Sequence, residues 1–185
     1  CKRGDYNVCE NLKVQGFQAN GCAQDYFIIP EERAVKIPDE FTFEQGAFIE
    51  PVAVAAHSTR RAGSLENKNV IVFGAGTIGN LVAQFLQARG ASKVLITDIN
   101  QFRLSKAKES GIKNTANLSD ESFENALQRV FGKDGFNIAF EATGAEKPII
   151  NAVNNIENGG KIIILGVFDK PAAIPMSFVC EHEIQ

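Results

Sequence analysis

At 185 residues the chain can hold one ample domain, or one domain and part of a second. A formal net charge of −3, with 22% charged residues, offers no basic surface for nucleic acid or an acidic membrane, and no apolar run approaches the length of a membrane span. The four scattered cysteines are too few for a disulfide scaffold and no signal peptide is visible, so a cytoplasmic protein is expected.

The first residue is cysteine and the first recognisable feature is half of a motif, so a fragment of a longer chain is expected. From Cys1 to about Pro38 the sequence is turn-rich, with short β-like pieces such as Tyr26-Phe27-Ile28-Ile29. Cys1 and Cys9 put two thiols in one loop of the kind that can wrap a zinc, although two ordinary reduced cysteines are the plainer reading. Thr42-Phe-Glu-Gln45 reads as a capping box opening a helix to about Phe48. At Ile49-Glu50-Pro51-Val52 the proline ends that helix and enters the first turn of the next, which runs through Val54 and His57 to about Arg61. Glu50 at such a junction can point into a cleft, but an exposed or capping glutamate is the plainer reading. Local packing is the plainer one for His57. Ala62-Gly63-Ser64, with Glu66-Asn67-Lys68, marks the expected boundary between segments 1–62 and 63–185.

Beyond it, strands and helices alternate. Val70-Ile-Val-Phe73 is a short continuous apolar run, as in a parallel strand covered on both faces. It stops at Gly74-Ala75-Gly76-Thr77-Ile78-Gly79. Ile78, Leu81, Val82, Phe85 and Leu86 then recur at helical spacing, with Gly90 as the stop. A second run, Val94, Leu95 and Ile96, ends at Thr97-Asp98. Strand, glycine turn, helix, strand and acid together form the dinucleotide-binding pattern in register. Gly74 permits the tight turn, Gly76 the approach of a pyrophosphate, and Gly79 the close packing of helix on sheet. The helix N-terminus then faces the phosphates. Asp98 would accept both ribose hydroxyls and repel a 2′-phosphate, which favours NAD over NADP. Alternatively Asp98 caps the next helix, a task Asn100 could also take.

That helix runs from Phe102 to Ser110 and precedes a short strand at Asn114 to Ala116. Ser119 or Asp120 is expected to cap a helix bearing Phe123, Ala126, Leu127, Val130 and Phe131, which Gly132 ends. Phe136, Ile138, Ala139 and Phe140 form a fourth strand and deliver Glu141-Ala-Thr-Gly144 at the end where such sheets bind ligands. Thr143 and Gly144 should line that crevice. Pro148 opens a helix carrying Ile149, Ile150, Val153 and Ile156. After Asn158-Gly159-Gly160 comes a fifth strand, Lys161 to Leu165, whose tip at Gly166 lets a ligand come close. A sixth would begin near Glu183 to Gln185. The expected class is therefore α/β, a Rossmann doubly wound parallel sheet.

These motifs together resemble the zinc-dependent polyol branch of the medium-chain dehydrogenase/reductase superfamily. The resemblance rests on Arg3-Gly-Asp-Tyr-Asn-Val-Cys9, Gly46-Ala-Phe-Ile-Glu-Pro51, His57 with Arg60-Arg61, the glycine turn, Thr97-Asp98, Arg103-Leu-Ser-Lys-Ala-Lys108 and Glu141-Ala-Thr-Gly-Ala-Glu146. It implies that residues 1–62 are part of a mostly-β GroES-like catalytic domain and that 63–185 are an NAD-binding domain truncated at its sixth strand. Cys1 and Cys9 would match two thiolates of a structural zinc lobe, and Glu50 the glutamate at the catalytic zinc. Gly74, Ala75, Gly76, Thr77, Ile78, Gly79, Asp98 and Arg103 would contact the cofactor, as would Thr143, Gly144 and Gly166. The implied activity is NAD-linked oxidation of a small polyol or secondary alcohol, in a homo-oligomer without nucleic-acid or membrane partners. The chain alone is expected to bind NAD weakly and not to turn over. A zinc-free quinone or enone reductase and a non-catalytic dinucleotide sensor are the competing readings.

Overall fold

A computed structural model describes Gly4 and residues 6–185. The chain divides into two compact units, Cys1–Thr42 and Phe43–Gln185. In the first, the described residues carry two short 3₁₀ turns, Tyr6–Val8 and Glu31–Arg33, and one isolated bridge between Gln15 and Ala19. The β-like piece at Tyr26 to Ile29 forms no strand; Tyr26 and Ile28 are exposed, and among the described residues no strand pairs with them.

The second unit opens with α1 (Phe43–Arg61), a single helix with Pro51 inside it. The expected break at Ile49 to Val52 is therefore absent. Proline forfeits one backbone bond and crowds the preceding turn, which ordinarily costs about 3 kcal/mol. Here α1 packs against the helix that follows the glycine turn, and that packing keeps it continuous. The helix thus belongs with the second unit, whereas the sequence suggested a boundary after residue 62.

Five strands follow: β1 (Asn69–Phe73), β2 (Lys93–Asp98), β3 (Asn114–Asn117), β4 (Phe136–Glu141) and β5 (Ile156–Ile164). They form one parallel sheet in the order β3-β2-β1-β4-β5. Between them lie α2 (Thr77–Ala88), α3 (Gln101–Glu109), α4 (Phe123–Phe131) and α5 (Glu146–Asn155). Val70 and Val72 join Leu81, Val82, Leu86 and Leu104 in one core, while Ile71 and Phe73 join Phe123, Val130, Phe131 and Phe136 in another. Both faces of β1 are covered, which is why its five residues are all buried and its apolar run does not alternate. The chain winds outward from β1 to β3, then crosses back to β4 on the other side, so strand order reverses between β1 and β4.

Two local expectations are corrected. The cap of α4 is Ser122, which accepts the Asn125 N–H at 3.2 Å; Ser119 and Asp120 are instead held by Asn117 in the turn after β3. Ile156 is not helical but opens β5 opposite Phe136. The ladder then slips around Gly159, at φ +70, before Lys161 pairs with Ile138. A short helix, α6 (Met176–Glu181), precedes the last residues. Gln185 then donates its N–H to the Gly160 carbonyl at 2.9 Å and accepts the Ile162 N–H at 2.8 Å, the pattern of a parallel neighbour to β5. No helix among the described residues is long and apolar enough to cross a membrane.

Candidate functional site

The turn after β1 is shaped by what its glycines leave out. Gly74 has φ +96, and a Cβ there would lie 2.9 Å from the Thr143 methyl and 3.1 Å from the Ala142 carbonyl oxygen. At Gly79 a Cβ would collide with the Gly74 carbonyl oxygen, so only glycine lets α2 start this close to the strand. Gly76 is different: its φ is an ordinary −67, and nothing lies within 4 Å of the added carbon. It is also the N-cap of α2 and has no side chain to bond the first-turn amides. Those donors, the positive end of the helix dipole and the open space above Gly76 suit an anion.

At the end of β2, Asp98 is 9% exposed. Its Oδ2 accepts the Ala75 N–H at 2.7 Å, and its Oδ1 accepts the N–H groups of Ile99 and Asn100, both at 2.8 Å. Arg103 Nη1 stands 3.8 Å from Oδ2 on an exposed side chain. The carboxylate therefore ties the glycine turn to the end of β2. Asn100 caps α3, accepting the Arg103 N–H at 3.2 Å, so of the two candidates the asparagine does the capping. A groove of 530 Å³ beside this turn is lined by Phe48, Gly76, Thr77, Gln84, Arg103 and Lys106, among others.

Across β1, the turn after β4 meets the tip of β5. Thr143 donates its hydroxyl to Glu141 Oε1 and accepts the Ala145 N–H at 3.0 Å. Its hydroxyl thus has partners inside the turn, and its methyl faces Gly74. Gly144, at φ +71, and Gly166 are packed so closely that a Cβ on Gly166 would collide with the Gly144 nitrogen. Glu141, fully buried, is the residue that sequence reasoning passed over. The readable signal was an acceptor at the end of an apolar strand, followed two and three positions later by the donors of Thr143 and Gly144.

The structure thus gathers the predicted cofactor residues 74–79, Asp98 and Arg103 at one turn, and Thr143, Gly144 and Gly166 at the adjoining one. Glu50 is exposed on α1 and lines a separate 850 Å³ groove along β5 with His57, Arg61 and Lys161. Cys9 is half-buried in the first unit, and Cys1 lies outside the described residues. Among the described residues no three His, Cys, Asp or Glu come together, whereas a structural zinc takes four ligands and a catalytic one three. These residues by themselves do not fit a zinc site.

The zinc-binding dehydrogenase family matches residues 77–185, from the first turn of α2 to the last residue. The chain belongs to the zinc-binding dehydrogenase family. It is 31% identical over 179 residues to the L-threonine 3-dehydrogenase of Protochlamydia amoebophila, covering 97% of this chain and 52% of that protein. It is 31% identical over 191 residues to sorbitol dehydrogenase 2 of Saccharomyces cerevisiae, covering 100% and 54%. The crystal structure of an Escherichia coli alcohol dehydrogenase complexed with cofactor NADH matches it with a TM-score of 0.90 at 28% identity, covering 100% of this chain and 55% of the other. The chain therefore spans about half the length of the curated relatives it matches. The family membership and the doubly wound fold expected from the motifs are both borne out.

Proposed function

We propose that this chain carries the NAD-binding part of a dehydrogenase that oxidises a small polyol or secondary alcohol. The observation that carries the proposal is the glycine turn itself: an uncapped helix start under open space, tied by one hydrogen bond to a carboxylate at the neighbouring strand end. In this reading the first-turn amides of α2 hold the diphosphate, and Gly76 leaves room for it. Asp98 offers its remaining lone pairs to the ribose hydroxyls, and Arg103 stands at the adenosine. Thr143, Gly144 and Gly166 floor the other half of the crevice through backbone and methyl surface. NAD supplies the hydride acceptor for the carbinol carbon.

Cys1 and Cys9 are proposed as structural zinc ligands and Glu50 as a catalytic one, each within a larger ligand set. Relatives named for threonine and for sorbitol support a hydroxyl-bearing small substrate and leave its identity to assay. Two measurements test the proposal: calorimetric titration of this chain with NAD and NADP, and NADH formation from sorbitol, xylitol, galactitol 1-phosphate and threonine by the longer protein that supplies the rest of the zinc ligand set. NAD should bind more tightly than NADP. Failure to bind NAD at about 10 mM, a free energy weaker than roughly 3 kcal/mol, would overturn it.

A further inference from the structure

The sheet order gives the proposed nucleotide site two sides. β2, with Asp98, flanks β1 on the adenosine side; β4 and β5 flank it on the other, where the nicotinamide half of a dinucleotide would lie. On that second side stands Glu141, 0% exposed. A buried carboxylate is costly unless its charge is met by hydrogen bonds. The donors here come from its own turn. Oε1 accepts the Thr143 N–H at 2.8 Å, the Thr143 hydroxyl, and the Gly144 N–H at 3.2 Å; Oε2 takes the Gly144 N–H at 3.1 Å.

The same residue holds β5. Its carbonyl oxygen accepts the Leu165 N–H at 2.7 Å and the Gly166 N–H at 3.0 Å. Ala142, next in sequence, donates its N–H to the Phe73 carbonyl at 2.9 Å and so anchors the turn to β1. There is no slack between these pieces. A Cβ on Gly144 would strike the Val167 carbonyl oxygen, and one on Gly166 would come 2.5 Å from Glu141 Oε2. One residue therefore joins the two pieces: its carboxylate orders the turn after β4, its main-chain carbonyl binds the tip of β5, and Oε2 packs beside Gly166.

We propose that Glu141 is a positioning residue for the nicotinamide half of the cofactor: its carboxylate fixes the conformation of Thr143 and Gly144, which pack beside Gly166, and so shapes that half of the seat without touching the ligand. The inference rests on the dinucleotide reading given above. It makes a demand that core filling does not. If Glu141 only occupied space, leucine, apolar and of similar reach, would be neutral or stabilising there.

The test is an NMR titration of assigned amides, with NAD and with ADP separately. In wild-type protein ADP shifts Gly76 and Thr77, and NAD shifts these together with Thr143, Gly144 and Gly166. In Glu141→Leu the responses of the last three should vanish and NAD affinity fall about tenfold, with ADP affinity within about twofold. Glu141→Gln keeps an acceptor where Oε1 stands and should restore NAD binding to within about threefold of wild type. A folded Glu141→Leu that binds NAD normally, or that loses NAD and ADP equally, overturns the proposal. If that variant does not fold, Thr143→Val decides: it removes one donor and keeps the methyl against Gly74. It should weaken NAD about threefold and leave ADP unchanged; no change in either overturns the inference. Wild-type protein that binds ADP but not NAD overturns it too, and protein that binds neither removes the dinucleotide reading on which it rests.

Discussion

Replacing Asp98 by asparagine separates what the carboxylate does for the protein from what it does for a ligand. Three backbone N–H groups converge on its two oxygens, one on Oδ2 and two on Oδ1. An amide has only one oxygen, so whichever way it turns, its NH₂ faces a donor. The less costly orientation points the oxygen at Ile99 and Asn100 and leaves the Ala75 N–H unpaired. Ala75 is 3% exposed, so water cannot readily replace the lost partner. One orphaned buried donor costs about 1–3 kcal/mol, and the two surviving bonds lose their charge assistance. A loss of about 2 kcal/mol is expected, which lowers Tm by about 4–8 °C for a domain of this size. Thermal unfolding without nucleotide, followed by circular dichroism, measures it. Stability within about 0.5 kcal/mol of wild type would refute the claim that this carboxylate holds the glycine turn. Nucleotide preference is read independently. An uncharged side chain no longer repels a 2′-phosphate, so affinity for NADP relative to NAD should rise about tenfold. An unchanged ratio in the folded variant would confine Asp98 to holding the turn.

Other substitutions separate the remaining parts of the site. Gly76→Ala fits its backbone and meets nothing within 4 Å, so it should cost no more than about 1 kcal/mol in a urea titration. The added methyl fills the space above α2, and calorimetry should show NAD binding about tenfold weaker. Gly79→Ala puts a methyl into the Gly74 carbonyl, a backbone atom that cannot swing aside, and should destabilise by about 3 kcal/mol in the same titration. Asn100→Ala removes the cap of α3 and should cost about 1 kcal/mol, with NAD affinity unchanged by calorimetry.

Much of the second unit was legible because its signals are local. A strand buried on both faces, a glycine turn and an amphipathic helix each leave their mark within a dozen residues, and β1, α2 and β2 carry all three. The misreadings arise where a distant partner decides. Pro51 is a helix breaker by local rules, yet α1 runs through it because the helix packs against α2. Ile156 continues a helical pattern but is taken by Phe136 across the sheet. Tyr26 to Ile29 has strand composition but no paired strand among the described residues. In the site, the glycines and Asp98 were visible as a spacing. What they touch was not: that the Asp98 carboxylate is bonded to Ala75, and that Glu141 turns back on Thr143, are facts of three-dimensional closeness.

The contact between the two turns carries the functional reading further than either turn alone. Gly74, which opens the turn after β1, lies against Ala142 and Thr143 of the turn after β4. The Phe73 carbonyl bonded to Ala142 and the Thr97 carbonyl bonded to the Gly74 N–H, at 2.8 Å, run the connection from β2 through β1 to β4. Asp98 closes the near end onto Ala75, and Glu141 closes the far end onto Gly144 and Gly166. Each carboxylate thus sits at a strand end and holds the backbone of a glycine-containing turn, one on each side of the point where strand order reverses. A ligand confined to the helix start would use only the first of these seats. The pairing of two such turns across β1 suits a molecule with two halves joined at a diphosphate, and that physical fit is what the proposed dinucleotide reading draws from the glycine spacing in the sequence.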